Sequence, residues 1–246
     1  MSMIISEKRL HKKGKIWIFN KDYIAEFVYG GIDGAITTFA VVAGAAGANA
    51  DLTWVLIFGF ANLIADGFSM SVGNFFSVKA DRDNFEKHRA VEYWEVDNLR
   101  EREVEEIREI YAAKGFEGEL LEKVVEVITA DKHVWVDTMM KEELEMTQDD
   151  KTPFKTAFAT FMSFNVIGII PLLAYIFALL FDLANVNLFI LSSVATCIAL
   201  MFVGYLKSIV TSTKWVKGVL ETLLLGGLAA FLAYFVGEVL ASYFLN

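Results

Sequence analysis

The chain has 246 residues, of which 55% are hydrophobic, with a mean hydropathy of +0.45, yet 22% are charged and the net charge is −9. The charge is localised: residues 79–151 carry 22 acidic and 12 basic side chains, while the remainder is close to neutral. An apolar chain with one acidic, water-facing insert argues against nucleic acid and for cations, and the single cysteine, Cys197, supports neither a disulfide framework nor a thiolate metal site.

In chain order, residues 1–22 are basic and are expected along the membrane surface, with no removable signal peptide after them. A glycine-rich apolar run over about 24–48 is long enough to cross a bilayer, and its Gly30 and Gly34 have the small-xxx-small spacing that lets helices approach closely. After a break at Asp51, a second span covers about 52–76. It continues without Pro into the charged insert, so one long helix is expected to leave the membrane and end near Gly115, a good C-cap residue. Further insert helices are expected over roughly 117–129, with Leu120, Leu121, Val124, Val125 and Ile128 as its buried stripe, and over roughly 131–146. Spans follow over about 158–181, with a kink expected at Pro171, then 188–206 and 216–244.

The fold class is therefore all-α: a polytopic membrane protein with five transmembrane helices and a cytosolic three-helix insert between spans two and three. Its segments are 1–22, 23–76, 77–151 and 152–246. The loops near Asp51 and Asp182 lack Lys and Arg, whereas Lys207, Lys214 and Lys217 flank the turn between spans four and five. The positive-inside rule then puts the N-terminus, the insert and that turn in the cytosol, with the C-terminus opposite.

Asn62, Asp66, Met70 and Asn74 recur every four residues and line one helix face. Asp33 and Asp66 are carboxylates near the middle of spans, positions that usually face a cavity or a partner. Met70 adds a soft thioether one turn after Asp66, which suits a transition metal better than magnesium or calcium. Beyond the membrane, Glu92, Glu95, Glu103 and Glu106 fall within an arc of about 80° on one side of the same helix. Glu101, Glu105 and Glu109 point elsewhere, so a solvated charged helix fits the pattern as well as a metal face does. His88 shares the arc. Met139, Met140 and Glu143 set thioethers beside a carboxylate at i, i+1 and i+4, or else are packing residues.

These residues together resemble the vacuolar iron transporter family: Asp33-Gly34 in span one, Ser69-Met70 in span two, and Glu92, Glu95, Glu103, Glu106, Met139, Met140 and Glu143 in the insert. The similarity runs from about Tyr23 over nearly the whole chain. It implies a homodimer that moves Fe²⁺ out of the cytosol in exchange for protons, with Mn²⁺, Co²⁺ or Zn²⁺ as further candidates. Asp33 and Met70 would match the family's ion-path positions between spans one and two of both subunits, with Asn62 and Asp66 on the same path, and the seven insert residues would collect metal. The small residues Gly30, Gly34, Ala43 and Gly47 are placed by the resemblance near the dimer axis. Some relatives have a carboxylate where this chain has Asn62, which leaves Asp66 to take that role. The competing readings are a manganese exporter, a membrane-anchored di-iron oxidase, and an acidic scaffold. The oxidase lacks the Glu-x-x-His pairs such sites use, and no nucleophile triad or phosphate loop stands out, so the chain reads as a transporter and not an enzyme.

Overall fold

The structure is a computed structural model that describes residues 23–181 and 186–244; the basic segment 1–22 and Asp182 lie outside them. Among the described residues there are nine helices and no strand: α1 (Ile24–Gly47), α2 (Leu52–Asn98), α3 (Arg100–Ala113), α4 (Gly118–Ala130), α5 (Lys132–Glu142), α6 (Pro153–Gly168), α7 (Ile170–Phe181), α8 (Leu188–Thr211) and α9 (Trp215–Phe244). The chain forms two compact units, one of residues up to Phe75 together with Thr152 onward, the other Phe76–Lys151.

In the first unit α1 is the central helix and packs chiefly on α6 and α9, then on α8 and α7. Its glycines make this possible. A Cβ at Gly30 or Gly34 would run into the backbone carbonyls of Thr160 and Phe164 on α6, and one at Gly47 into the Tyr234 carbonyl on α9. Ala43 on the same helix is fully buried. The expected small-residue stripe therefore exists, but what it meets is this chain's own helices. The assignment of that stripe to a dimer axis is corrected: backbone contact with α6 and α9 leaves no room for a second copy there.

Phe39, Val42, Val55, Leu63, Phe164 and Leu172 interlock α1, the first half of α2, α6 and α7. The pair α6–α7 bends by 49° around Ile169. Pro171 explains the bend, because its missing N–H and its ring prevent the preceding turn from continuing. Outward from this core, α8 and α9 present Ile190, Val194 and Ile198 and Leu224, Leu228 and Phe231, all well exposed. Apolar surface on this scale belongs against lipid and not water. Four described helices are long and apolar enough to cross a membrane, and the bent pair makes a fifth if it counts as one span. The protein is a multi-pass integral membrane protein.

The second unit closes around Phe85, Val96, Ile107, Val125, Trp135 and Met139. The expected continuous helix to Gly115 is interrupted. α2 stops at Asn98, Leu99 takes φ −125° and ψ 31°, and α3 starts at Arg100. No Gly or Pro marks this break. Its local signal is Asn98, whose side-chain amide donates to the Trp94 carbonyl at 2.8 Å and so competes with the helix ladder. The far end is as expected: α3 finishes at Ala113, and Gly115 adopts φ +92°, a left-handed conformation that glycine takes without a steric penalty.

α4 buries Val125 and Ile128, but Leu120, expected inside, is 58% exposed. The stripe is narrower than periodicity implies because a 13-residue helix is covered only on the side that meets its neighbours. α5 is capped by Asp131, whose carboxylate accepts from the backbone N–H groups of His133 and Val134. These two bonds favour the ionised form and hold its pKa below the ordinary aspartate value. The helix ends at Glu142 and not near Met146, with Glu143 as its C-cap and Glu145 left-handed beyond it.

Candidate metal centre

The break at Leu99 is what builds the site. On a straight helix Glu92 and Glu103 would be separated by eleven residues, about 16 Å along the axis, too far to meet at one ion. With the chain bent between them, one carboxylate oxygen each of Glu92, Glu95 and Glu103 lies within 4.8 Å of the others. Oxygens bound at roughly 2.0–2.6 Å put opposite ligands about 4–5 Å apart, so the three are already near ligand spacing. The face drawn on a single helix is thus corrected to a pocket between two helices, with Glu92 and Glu95 from α2 and Glu103 from α3.

Glu92 is only 4% exposed and Glu103 only 1%, so neither belongs to a solvated charged surface. One oxygen of each, Oε2, is buried without a hydrogen-bond partner. Burial pushes the Glu92 carboxyl up to about 7, helped by the negative charges of Glu143, Glu95, Glu103 and Glu106. Glu103 is likewise pushed up to about 7, by burial first and then by Glu106, Glu95 and Glu143, with Arg102 pulling the other way. Glu143 is raised by burial and by Glu106 and Glu95. Like charges gathered out of water are unfavourable unless they are protonated or share a cation, and unpartnered oxygens at ligand spacing fit a divalent ion.

All five expected glutamates therefore act on one another. Three converge, while Glu106 and Glu143 stand within reach of their charge. Glu143 sits one turn after Met139, donating its backbone N–H to the Met139 carbonyl at 3.0 Å. Met139 and Met140 are fully buried with Ile107 and Trp135, so each has a packing role whatever its sulfur does. His88 is half-buried and is not among the residues that converge. Sequence reasoning missed Arg102, whose Nε donates to Glu106 Oε1 at 2.9 Å, although the i,i+4 spacing was there to be read. It also missed Trp135, whose ring lies 4.9 Å from the Arg100 guanidinium and whose buried Nε1 has no partner.

In the first unit, Asp33, Asn62, Asp66, Met70 and Asn74 are all half-buried, as edges of a groove would be. Asp33 and Asp66 are close enough for their charges to interact. Asn62 donates to Thr37 Oγ1 at 3.4 Å, and Thr37 in turn donates to the Asp33 carbonyl at 2.9 Å. Asn74 donates to Thr160 Oγ1 at 2.7 Å and Ser71 to the Ala157 carbonyl at 2.9 Å, both on α6. Met70 packs against the cluster that holds Phe39 and Phe164. Thr37 and Thr160 were not singled out from the sequence, since a hydroxyl in a span has no signature without its partner.

A helical, multi-pass membrane protein that gathers carboxylates in a separate acidic unit is the class these features define. Residues 24–238 match the VIT family, and the chain belongs to that family. It is 34% identical over 227 residues to a vacuolar iron transporter of Toxoplasma gondii, covering 90% of this chain and 75% of that protein. A vacuolar iron transporter of Plasmodium berghei is 33% identical over 237 residues, with 94% and 87% covered. Vacuolar iron transporter 1 of Arabidopsis thaliana is 31% identical over 219 residues, with 89% and 86% covered. The relatives carry the names of transporters, a class that is not enzymatic.

Proposed function

We propose that this protein exports a divalent transition metal, Fe²⁺ foremost, from the cytosol in exchange for protons, working as a homodimer. The observation that carries the reading is the convergence of Glu92, Glu95 and Glu103 with buried, unpartnered oxygens. Membership of a family whose relatives are named for iron transport supports the choice of metal. In this reading α6 and α7 form one span, giving five, and Lys207, Lys214 and Lys217 hold their turn on the cytosolic side with the N-terminus and residues 77–151. The C-terminus is then on the opposite side.

Glu92, Glu95 and Glu103, completed by Glu106 and Glu143, collect the ion, and Met139 and Met140 bias the site toward softer metals. Asp33, Asp66, Met70 and Asn62 carry the ion through the membrane. A carboxylate that releases a cation inside a low-dielectric segment takes up a proton in its place, which couples the two flows. The test is transport in proteoliposomes under an imposed pH gradient, with Fe²⁺, Mn²⁺, Co²⁺ and Zn²⁺ compared. Asp33→Ala and Asp66→Ala should each lower Fe²⁺ flux roughly tenfold or more, equivalent to about 1.4 kcal/mol or more on the barrier, and Met70→Ala less. Normal flux through the Asp33→Ala protein would rule out this path.

A further inference from the structure

Of the four helix glutamates, Glu106 is the one that does not join the converging group. It is bound elsewhere. Arg102, one turn before it on α3, holds its carboxylate in an ion pair at 2.9 Å. An exposed i,i+4 pair is ordinarily a minor feature, and Arg102 is 67% exposed. Its surroundings set it apart, since its charge acts on Glu95 and Glu103 as well as Glu106 and offsets the repulsion at Glu143. Glu106 in turn acts on Glu92, Glu103 and Glu143, so the pair stands at the edge of the cluster. Glu92 and Glu103 each bury one carboxylate oxygen that no hydrogen-bond donor reaches, Arg102 included.

We propose that Arg102 is the resident cation of this centre: it holds Glu106 aside in the metal-free protein and yields it when a divalent ion arrives. The inference rests on the metal-collecting reading above and adds what that reading lacks, an internal competitor that sets the affinity. The guanidinium and the metal compete for one carboxylate, and the guanidinium also repels the ion through space. With Arg102 present the cluster keeps a counter-charge when empty and binds metal more weakly than five carboxylates alone would. This suits a site that must pass its ion on.

The experiment is calorimetric titration of Co²⁺ or Mn²⁺ into the full-length protein in detergent micelles. The protein with Glu92, Glu95, Glu103 and Glu106 all changed to Gln defines the background from the membrane segment. Arg102→Gln should raise the affinity roughly three- to tenfold, the size expected for removing one nearby like charge in a water-rich setting. Arg102→Lys, which keeps the charge, should stay near wild type. Lys123→Gln removes a cation from a matched i,i+4 pair with Glu119, 2.7 Å, and should leave the affinity unchanged. Wild-type affinity in the Arg102→Gln protein, or an equal gain in Lys123→Gln, overturns the role of Arg102 while the metal centre stands. Wild-type binding no greater than that of the four-Gln protein overturns both. As a second readout, the rise in melting temperature on adding saturating Co²⁺ should be larger for Arg102→Gln than for wild type, and an equal rise counts against the proposal.

Discussion

Glu92 and Glu103 are the residues whose state the fold controls most tightly. Their folded pKa of about 7 lies above the 4.5 of an ordinary glutamate, so the metal-free fold prefers them protonated. Stability from that preference is complete below about pH 4.5 and is lost as the pH rises through about 7. Discounted for the solvent and salt that reach the cluster, the loss is roughly 1 kcal/mol, or about 2–4 °C in a chain of this size. Thermal melts in the presence of a chelator should therefore show the protein less stable at about pH 8 than at about pH 5.5, and Glu103→Gln should flatten the dependence. Saturating Co²⁺ should restore stability at the higher pH, because only the ionised carboxylates bind it. A wild-type melting temperature that climbs steadily with pH without metal would contradict this account of the cluster.

At the scale of elements, two junctions matter: the interruption at Leu99 and the contact of α1 with α6. The first turns a row of carboxylates into a pocket, since convergence needs two helices that approach at an angle. The second is a backbone-to-backbone approach that tolerates no side chain at Gly34. Gly34→Leu should push α1 off Phe164 and destabilise the protein by about 1–3 kcal/mol or more, seen as a lost or broadened main peak in size-exclusion chromatography. Gly73→Ala is the matched comparison, because a Cβ there meets nothing within 4 Å. It should be neutral or stabilising by roughly 0.5–1 kcal/mol. Equal behaviour of the two variants would mean that α1 and α6 are not packed as described.

At the scale of the whole molecule, the residues proposed for capture and those proposed for passage fall in different units of the chain. Asp33 and Asp66 belong to the unit that includes residues up to Phe75, and the glutamate pocket belongs to Phe76–Lys151. Replacing Glu92, Glu95, Glu103 and Glu106 together by Gln should therefore leave transport in proteoliposomes close to wild type at high metal concentration. At low concentration flux should fall roughly tenfold or more, because each 1.4 kcal/mol of lost binding is a factor of ten. A uniform loss at all concentrations would show that the pocket takes part in passage itself.

The four long apolar helices and the bent fifth candidate were legible because a bilayer demands about twenty apolar residues in a row. Pro171 and Gly115 also declared themselves, since each removes or permits a specific backbone conformation. The glutamates were singled out through the family resemblance, since type and spacing alone fitted a solvated charged helix equally well, and their geometry was not readable at all. Nothing between Glu95 and Glu103 is Gly or Pro, and the one local feature at the break is the Asn98 side chain bonded back to the Trp94 carbonyl, which spacing alone does not reveal. Gly30 and Gly34 announced a close approach without saying to what, because a missing side chain is complementary to any backbone. Leu120 was misread for a related reason, as periodicity identifies an apolar face but not how much of it a neighbour covers. Composition and local pattern thus determined which helices are long and apolar enough to cross a membrane and which side chains carry charge. Only the tertiary structure decided which of those charges are brought together out of water, since that depends on contacts between residues far apart in the chain.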